Sequence, residues 1–353
     1  MKKNTQLLGA LVAVSLFSIV VGCGKEAKPV SQPVSTPAAI SGNAIQLPPA
    51  EKSEVTLRLN WKIKGEFAPF FVAIDKGFYE KYGLKVNVLE GNGSADTLKT
   101  VSLGKEEFGI NSGVEPAQGL AENMKVQMIG SFMTKSPLMI VSFPGSPIKT
   151  PKDLEGRKIA MNTTSTFSKV FPKFMESQGV DASKVTQVKV DSSGISGLFL
   201  TKQVQAAEVF ASNDYPKFEL KSEEKLDTLL LSDYGFDIPG LTMIANTDFL
   251  KANPNTTKRF LAAISEAFEY TLKNREESVQ ILKKHFPDVL DVKVTLAQIN
   301  RTAELIEVSP TQPIGWMDEK KMQQTLTLLE DTGFITKKVD INQYFTNEYL
   351  PKK

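Results

Sequence analysis

The sequence predicts an α/β fold divided into two lobes, on three observations. Short β-rich runs alternate with amphipathic helical stretches from Glu54 onward. Roughly 300 residues follow the N-terminal segments, more than one compact lobe ordinarily holds. A cluster of Pro144, Gly145, Pro147 and Pro151 interrupts the alternation before it resumes.

Taken in order, VTLRLN (55–60) alternates apolar and polar residues and reads as a strand. The next stretch sets Phe67, Phe70, Phe71, Ile74 and Phe78 at helical spacing, tolerates Pro69 in its first turn and stops at Gly83. LKVNVLE (84–90) is a strand, GNGSADTLKTVSLG (91–104) a glycine-rich turn into a helix, and EEFGIN (106–111) a strand. VEPAQGLAE (114–122) follows as a helix and VQMIGSFM (126–133) as a strand. Beyond the prolines, RKIAMN (157–162), VTQVKV (185–190) and VQAAEVF (204–210) read as strands, separated by helices over 164–179 and 192–202. LTMIAN (241–246) reads as a return strand, so crossings between lobes are expected near 138–143 and 241–246. The C-terminal third is helical: 257–273 carries Phe260, Ile264, Phe268 and Leu272 on one stripe, and 317–333 ends at Gly333. These helices are assigned to the first lobe.

The N-terminus MKKNTQLLGALVAVSLFSIVVGC has a basic start, an apolar run from Leu7 to Val21 and a close on Gly22-Cys23, which reads as a secretory signal. Its last four residues resemble a bacterial lipobox, with Cys23 as the lipidated first residue; an ordinary cleavage site before a cysteine is the alternative. Cys23 is the one cysteine in the chain, so it has no internal disulfide partner. Residues 24–53 are rich in Pro, Ser, Ala and charge and read as a disordered tether, reaching roughly 30 Å. The expected layout is 1–23 signal, 24–53 tether, 54–142 first lobe, 143–243 second lobe and 244–353 the remainder of the first. Without Lys2 and Lys3, 40 of the 42 basic residues remain against 40 acidic ones. No basic field argues for nucleic acid.

Catalytic chemistry is sparsely supplied. The one histidine, His285, sits in ILKKHFPD near a helix end and reads as a helix-terminal residue. With one His and one Cys, zinc clusters and Cys/His or Ser/His/Asp arrangements are not expected, and neither a metal nor a cofactor is. The run GNGSAD lacks the third glycine of a dinucleotide fingerprint.

Recognition groups are plentiful at strand-to-helix turns, where α/β folds bind ligands. Trp61 offers a flat face for stacking, or packs in a core. Ser112 and Gly113 would allow close approach to backbone, or form an ordinary polar turn. Thr163, Thr164, Ser165 and Thr166 gather hydroxyls at a helix start, where simple capping accounts for one of the four. Asn213 and Asp214 follow the last strand of the second block, and Asp214 would pair with a ligand amino group or act as a cap. Tyr234 and Asp237, in DYGFDIPG, would wall the cleft or form a loop near the hinge. Asn92 in GNGSAD and Ser136 before the first crossing complete the candidate ligand set.

Four stretches then point to a known family: NWKIKGEFAPFFVAIDKGFYEKYGLKV, LGKEEFGINSGVEPA, SPIKTPKDLEGRKIA and YFTNEYLP. From about Val55 to Pro351 the chain resembles the NMT1/THI5-like solute-binding proteins, which group thiamin-pyrimidine, nitrate, taurine and alkanesulfonate binders. LNW and FTNEYLP lean toward the pyrimidine branch. The resemblance implies a two-lobed periplasmic-binding-protein type II fold with two crossovers, closing on a small planar or anionic solute. It implies delivery to the permease and ATPase subunits of an ABC importer by a monomeric, lipid-anchored extracytoplasmic protein. It places Trp61 at the cleft for stacking and Glu66 near the same mouth as an acceptor. The branch also contains pyrimidine synthases, which use a lysine and a histidine after the third strand and a cysteine-rich run. Here Asn111 and Glu115 stand at those two places and DYGFDIPGLTM has no cysteine, which favours a binder over an enzyme. Phe67, where pyrimidine-binding relatives often carry histidine, and the lysines Lys62 and Lys64 depart from the pattern toward an anionic ligand.

Overall fold

The computed structural model describes residues 47–353 apart from Thr164 and Glu223, and leaves aside the side chains of Thr166 and Ser192. Cys23, the signal and the tether up to Gln46 lie outside the described residues. The last stretch assigned to the tether, 47–53, is instead fixed to the folded body. Arg259 donates to the carbonyls of Leu47 (2.6 Å) and Pro48 (2.8 Å), and Glu51 accepts the Asn255 and Thr256 N–H groups at a helix start (3.1 and 2.8 Å). A carboxylate at a helix N-terminus satisfies donors that have no partner within the helix.

The strands are β1 (Glu54–Arg58), β2 (Lys85–Leu89), β3 (Phe108–Asn111), β4 (Gln127–Ser131), β5 (Leu138–Ser142), β6 (Lys158–Asn162), β7 (Thr186–Val190), β8 (Ala206–Phe210), β9 (Asp227–Leu230) and β10 (Thr242–Ala245). They form two five-stranded sheets of matching design, β2-β1-β3-β10-β4 and β7-β6-β8-β5-β9. In each, the fourth strand, β10 or β5, runs antiparallel to its neighbours. Each sheet thus takes that strand from the far side of a crossing. Both segments expected as crossings are strands: β5 is bonded into the second sheet and β10 into the first. The chain changes sheets earlier, between Ser131 and Leu138 and between Leu230 and Thr242. β9, a short run in a charged context, escaped sequence reading.

The helices are α1 (Ala68–Asp75), α2 (Phe78–Lys81), α3 (Ser94–Ser102), α4 (Val114–Ala121), α5 (Thr166–Ser177), α6 (Ser192–Leu200), α7 (Asp214–Lys221), α8 (Thr247–Ala252), α9 (Pro254–Lys273), α10 (Arg275–His285), α11 (Val292–Glu304), α12 (Glu319–Asp331) and α13 (Ile341–Tyr344). The single helix expected across Phe67–Phe78 breaks at Gly77, whose φ of 68° is a left-handed conformation that glycine adopts without penalty. The apolar stripe of α9 packs on the first sheet and α1: Phe260 stacks on Phe108 at 3.9 Å, and Phe268 lies 4.7 Å from Phe132 and 5.7 Å from Phe70. Phe167, Phe171, Phe174 and Phe236 make a second aromatic core, with Phe167 5.2–5.6 Å from the other three.

The two changes of sheet run side by side. Phe132 N–H donates to Leu241 O (2.7 Å) and Gly240 N–H to Met133 O (2.9 Å). No helix among the described residues is long and apolar enough to cross a membrane.

Helix α11 packs on the turn after β1 and also on α7 of the second lobe. A Cβ on Gly65 would lie 2.6 Å from both the Gln298 Cβ and the Thr295 carbonyl. Gly65→Ala should therefore push α11 away and lower stability by about 1–3 kcal/mol, measured as a fall in the urea midpoint at unchanged m-value.

Candidate functional site

The turns that follow β1 and β8 meet across the two sheets. Glu66, 5% exposed, accepts a hydrogen bond from the Ser212 hydroxyl through Oε2 (2.7 Å) and pairs with Lys64 Nζ through Oε1 (2.9 Å). Behind this contact, Gln298 of α11 accepts the Gly65 N–H (2.8 Å) and donates to the Asn213 carbonyl and side-chain oxygen (3.3 and 3.2 Å). Arg301, one turn along α11, binds Glu219 of α7 (3.1 Å) and stands 4.8 Å from the Tyr215 ring. On another side, Lys173 of α5 donates to the Asp331 carbonyl at the end of α12.

Below Ser212 lies a carboxyl that sequence reading passed over. Glu208 interrupts the apolar run AAEVF and is buried in β8; its Oε2 accepts the Asn162 N–H at the end of β6 (3.0 Å). Burial pushes its pKa up to about 7, the nearby Asp214 charge adds to the rise, and hydrogen bonds from Ser165 and Asn162 oppose it. Asp214 is also raised by burial; Lys217 and Lys64 oppose the rise and Glu66 adds to it. Three carboxyls, Glu66, Glu208 and Asp214, thus share a neighbourhood with Lys64 and Lys217.

Asn111, at the end of β3, is fully buried, and both its amide atoms lack a hydrogen-bond partner within the described residues. Asn60 after β1 leaves its Oδ1 unpartnered while its amide donates to Ser94 (3.1 Å). Buried polar groups without partners carry a desolvation cost that a bound molecule can remove.

The other expected residues divide between cleft and scaffold. Trp61 is 50% exposed in the turn after β1, and Asn92 is exposed in the neighbouring turn; the Gly91 N–H donates to the Trp61 carbonyl (3.2 Å). A Cβ on Gly91 would lie 2.0 Å from the Leu59 carbonyl, so only glycine brings these turns together. Ser112 spends its hydroxyl on Glu115 (2.6 Å) and accepts the Val114 N–H (3.1 Å), as a local turn does. Gly113 offers no open approach: its N–H bonds the Pro239 carbonyl, its carbonyl accepts from Tyr344, and the Pro239 ring fills the space where a side chain would stand. Thr163 bonds the Val190 carbonyl and Ser165 caps α5 by accepting the Ser168 N–H (2.9 Å). Thr164 and the Thr166 side chain lie outside the described residues. Asn213 is held by Lys217 and Gln298. Ser136 and Asp237 do come together, but at the crossings: the Asp237 carboxylate accepts the Ser136 N–H (2.9 Å). Tyr234 spends its hydroxyl on the Lys149 carbonyl (3.0 Å). His285 lies 3.4 Å from Asp75, the last residue of α1. Sequence reading therefore missed Asn111 as a site residue, Glu208, Ser212 and Gln298. Of these, the lone carboxylate in AAEVF was the legible signal.

The family model described as "NMT1/THI5 like" matches residues 64–278, more than half of the chain. The chain belongs to the NMT1/THI5-like family. A Haemophilus influenzae protein named for thiamine biosynthesis is 24% identical over 310 residues, covering 86% of this chain and 95% of its own length. The riboflavin-binding protein RibY of Chloroflexus aurantiacus is 22% identical, with 99% of each covered. A 4-amino-5-hydroxymethyl-2-methylpyrimidine phosphate synthase of Legionella pneumophila is 24% identical, covering 85% of this chain and 93% of its own length. Among solved structures, the periplasmic aliphatic sulphonate binding protein SsuA from Escherichia coli superposes with a TM-score of 0.67 at 19% identity, over 84% of this chain and 99% of that one. The NMT1/THI5-like chain thus has the two-lobed periplasmic-binding-protein type II fold that its alternating elements and matching sheets describe.

Because folding raises the pKa of Glu208 from 4.5 to about 7, the native state retains a proton that the unfolded chain releases in that window. Stability should therefore fall as pH rises from about 4.5 to about 7, with Asp214 acting in the same direction. Thermal melts of Glu208→Gln against the parent across this range should show a flatter pH profile in the variant.

Proposed function

We propose that this protein is the extracytoplasmic substrate-binding lipoprotein of an ABC importer, capturing a small planar heterocycle by lobe closure. The observation that carries the reading is the meeting of the β1 and β8 turns, Glu66 with Ser212; the buried, unpartnered amide of Asn111 at the end of β3 supports it. Groups from both lobes converge there, so a ligand that touches both favours the closed state, and only such differential affinity shifts the population. Glu66, Glu208 and Asp214 make the surroundings rich in acceptors, which suits a ring bearing amino or ring N–H donors. The alternative ligands, a sulfonate, nitrate or aromatic acid, meet a Lys64 already ion-paired with Glu66 and a Lys217 already bonded to Asn213. The names of the thiamine-biosynthesis and riboflavin-binding relatives support the heterocycle. The anchor at Cys23, the membrane location, the monomeric state and the permease and ATPase partners rest on the N-terminal sequence and on the family.

The synthase named among the relatives is a reading of another class. Lys64, partly buried at the junction and ion-paired with Glu66, is the amine that makes it testable. Glu115, at one of the two places where a synthase carries its catalytic groups, is occupied in the Ser112 turn.

A thermal-shift panel of aminopyrimidine, flavin, aromatic acid, sulfonate and nitrate should raise the melting temperature with a planar nitrogen heterocycle and not with the anions. Trp61→Ala should weaken that ligand about tenfold in titration calorimetry while leaving the free protein's melting temperature unchanged. An imine absorbance band on mixing with pyridoxal phosphate would point to the enzyme instead.

A further inference from the structure

Phe210, the last residue of β8, is 45% exposed although its neighbours Val209 and Ala211 are buried. Side chains two apart along a strand share a face, so Phe210 lies on the face of Glu208, one step nearer the strand end. Glu208 reaches from that face to the end of β6 and the start of α5. The backbone of Phe210 is fixed by its ladder pairing with Leu138 and by its N–H donating to the Asp214 carboxylate (3.3 Å). Two residues later Ser212 makes its 2.7 Å contact with Glu66, which brings this turn against the one that carries Trp61. Trp61 is likewise half in water on a backbone held by Gly91. Ile63 and Ala211, one from each turn, are buried in a single hydrophobic cluster. Two touching turns, one from each sheet, therefore each present a large aromatic ring to solvent at the ligand end of their strands, an arrangement suited to receiving an aromatic guest.

We propose that Phe210 and Trp61 form an aromatic clamp, one ring from each lobe, that takes a flat, uncharged or cationic ring system between them. The clamp rests on the heterocycle-binding reading above and assigns Phe210 as a specificity-determining residue of that site. Because the rings belong to different lobes, a guest stacks on both only when the lobes are closed, so stacking contributes to closure itself. Sulfonates, tetrahedral at sulfur, and nitrate, a small anion with no aromatic ring, gain little from such a clamp and are discriminated against.

The test uses the soluble protein lacking residues 1–23, with riboflavin and 4-amino-5-hydroxymethyl-2-methylpyrimidine as heterocyclic probes and taurine and nitrate as anionic ones. Affinities are measured by calorimetry for the parent, Phe210→Ala, Phe210→Leu and Phe210→Tyr. The parent should bind a heterocyclic probe. Phe210→Ala and Phe210→Leu should weaken it about tenfold, and Phe210→Tyr should keep it within about threefold, since only tyrosine retains a flat face. Melting temperatures of the free variants should match the parent's, which separates lost stacking from lost folding. A parent that binds a heterocycle, with Phe210→Ala binding equally well, would overturn the clamp and leave the heterocycle reading standing. A loss in Phe210→Tyr as large as in Phe210→Ala would also overturn it. A parent that binds no heterocyclic probe would overturn both.

Discussion

The structure depends on how it accommodates one buried carboxylate. A charge as enclosed as Glu66 is costly to desolvate and persists only with charged and hydrogen-bonded partners. It has two, Lys64 from its own turn and Ser212 from the turn after β8. The second belongs to the other sheet, so satisfying Glu66 and bringing the lobes together are the same event. Gln298 repeats the arrangement in neutral form, with its oxygen on the Gly65 N–H and its amide on Asn213.

The remaining architecture serves this junction. The sheets are alike, each with its antiparallel strand in fourth place, so the ends of their parallel strands supply equivalent turns. The crossings are bonded to each other, and Asp237 fixes Ser136 where they run together. Residues that look like ligand groups in the sequence are used there or in local turns, as Ser112, Gly113, Thr163 and Tyr234 show. What is left around the junction is a smaller set: Glu66 with Lys64 and Ser212, and two carboxyls, Glu208 and Asp214, whose acidity is suppressed by burial.

That set explains why composition was a poor guide to ligand charge. The chain has a formal net charge of only +2 and its strand-end turns contain several hydroxyls, which leaves an anion open. Folding removes Thr163 and Ser112 from the count by giving them backbone or turn partners, and adds Glu208, buried in a strand. The local field is set by which groups keep their charge after burial, not by their number.

Alternation of β-rich and amphipathic segments determined the fold class, because side-chain periodicity is a local property of the chain. Most strands and helices, the stripe on α9 and the placement of Trp61 and Glu66 at a strand-end turn were legible for the same reason. The sheet to which β5 and β10 belong was not, since an apolar run reads alike in either lobe and only the ladder partners distinguish them. Residues 47–53 read as linker because their partners, Arg259 and the start of α9, are some 200 positions away. The junction of Glu66 with Ser212, 146 residues apart, exists only once turns of the two sheets meet, and the unpartnered burial of Asn111 only once β3 is enclosed by the fold. The sequence alone determined which groups were available, and the tertiary structure decided which of them were left without partners of their own.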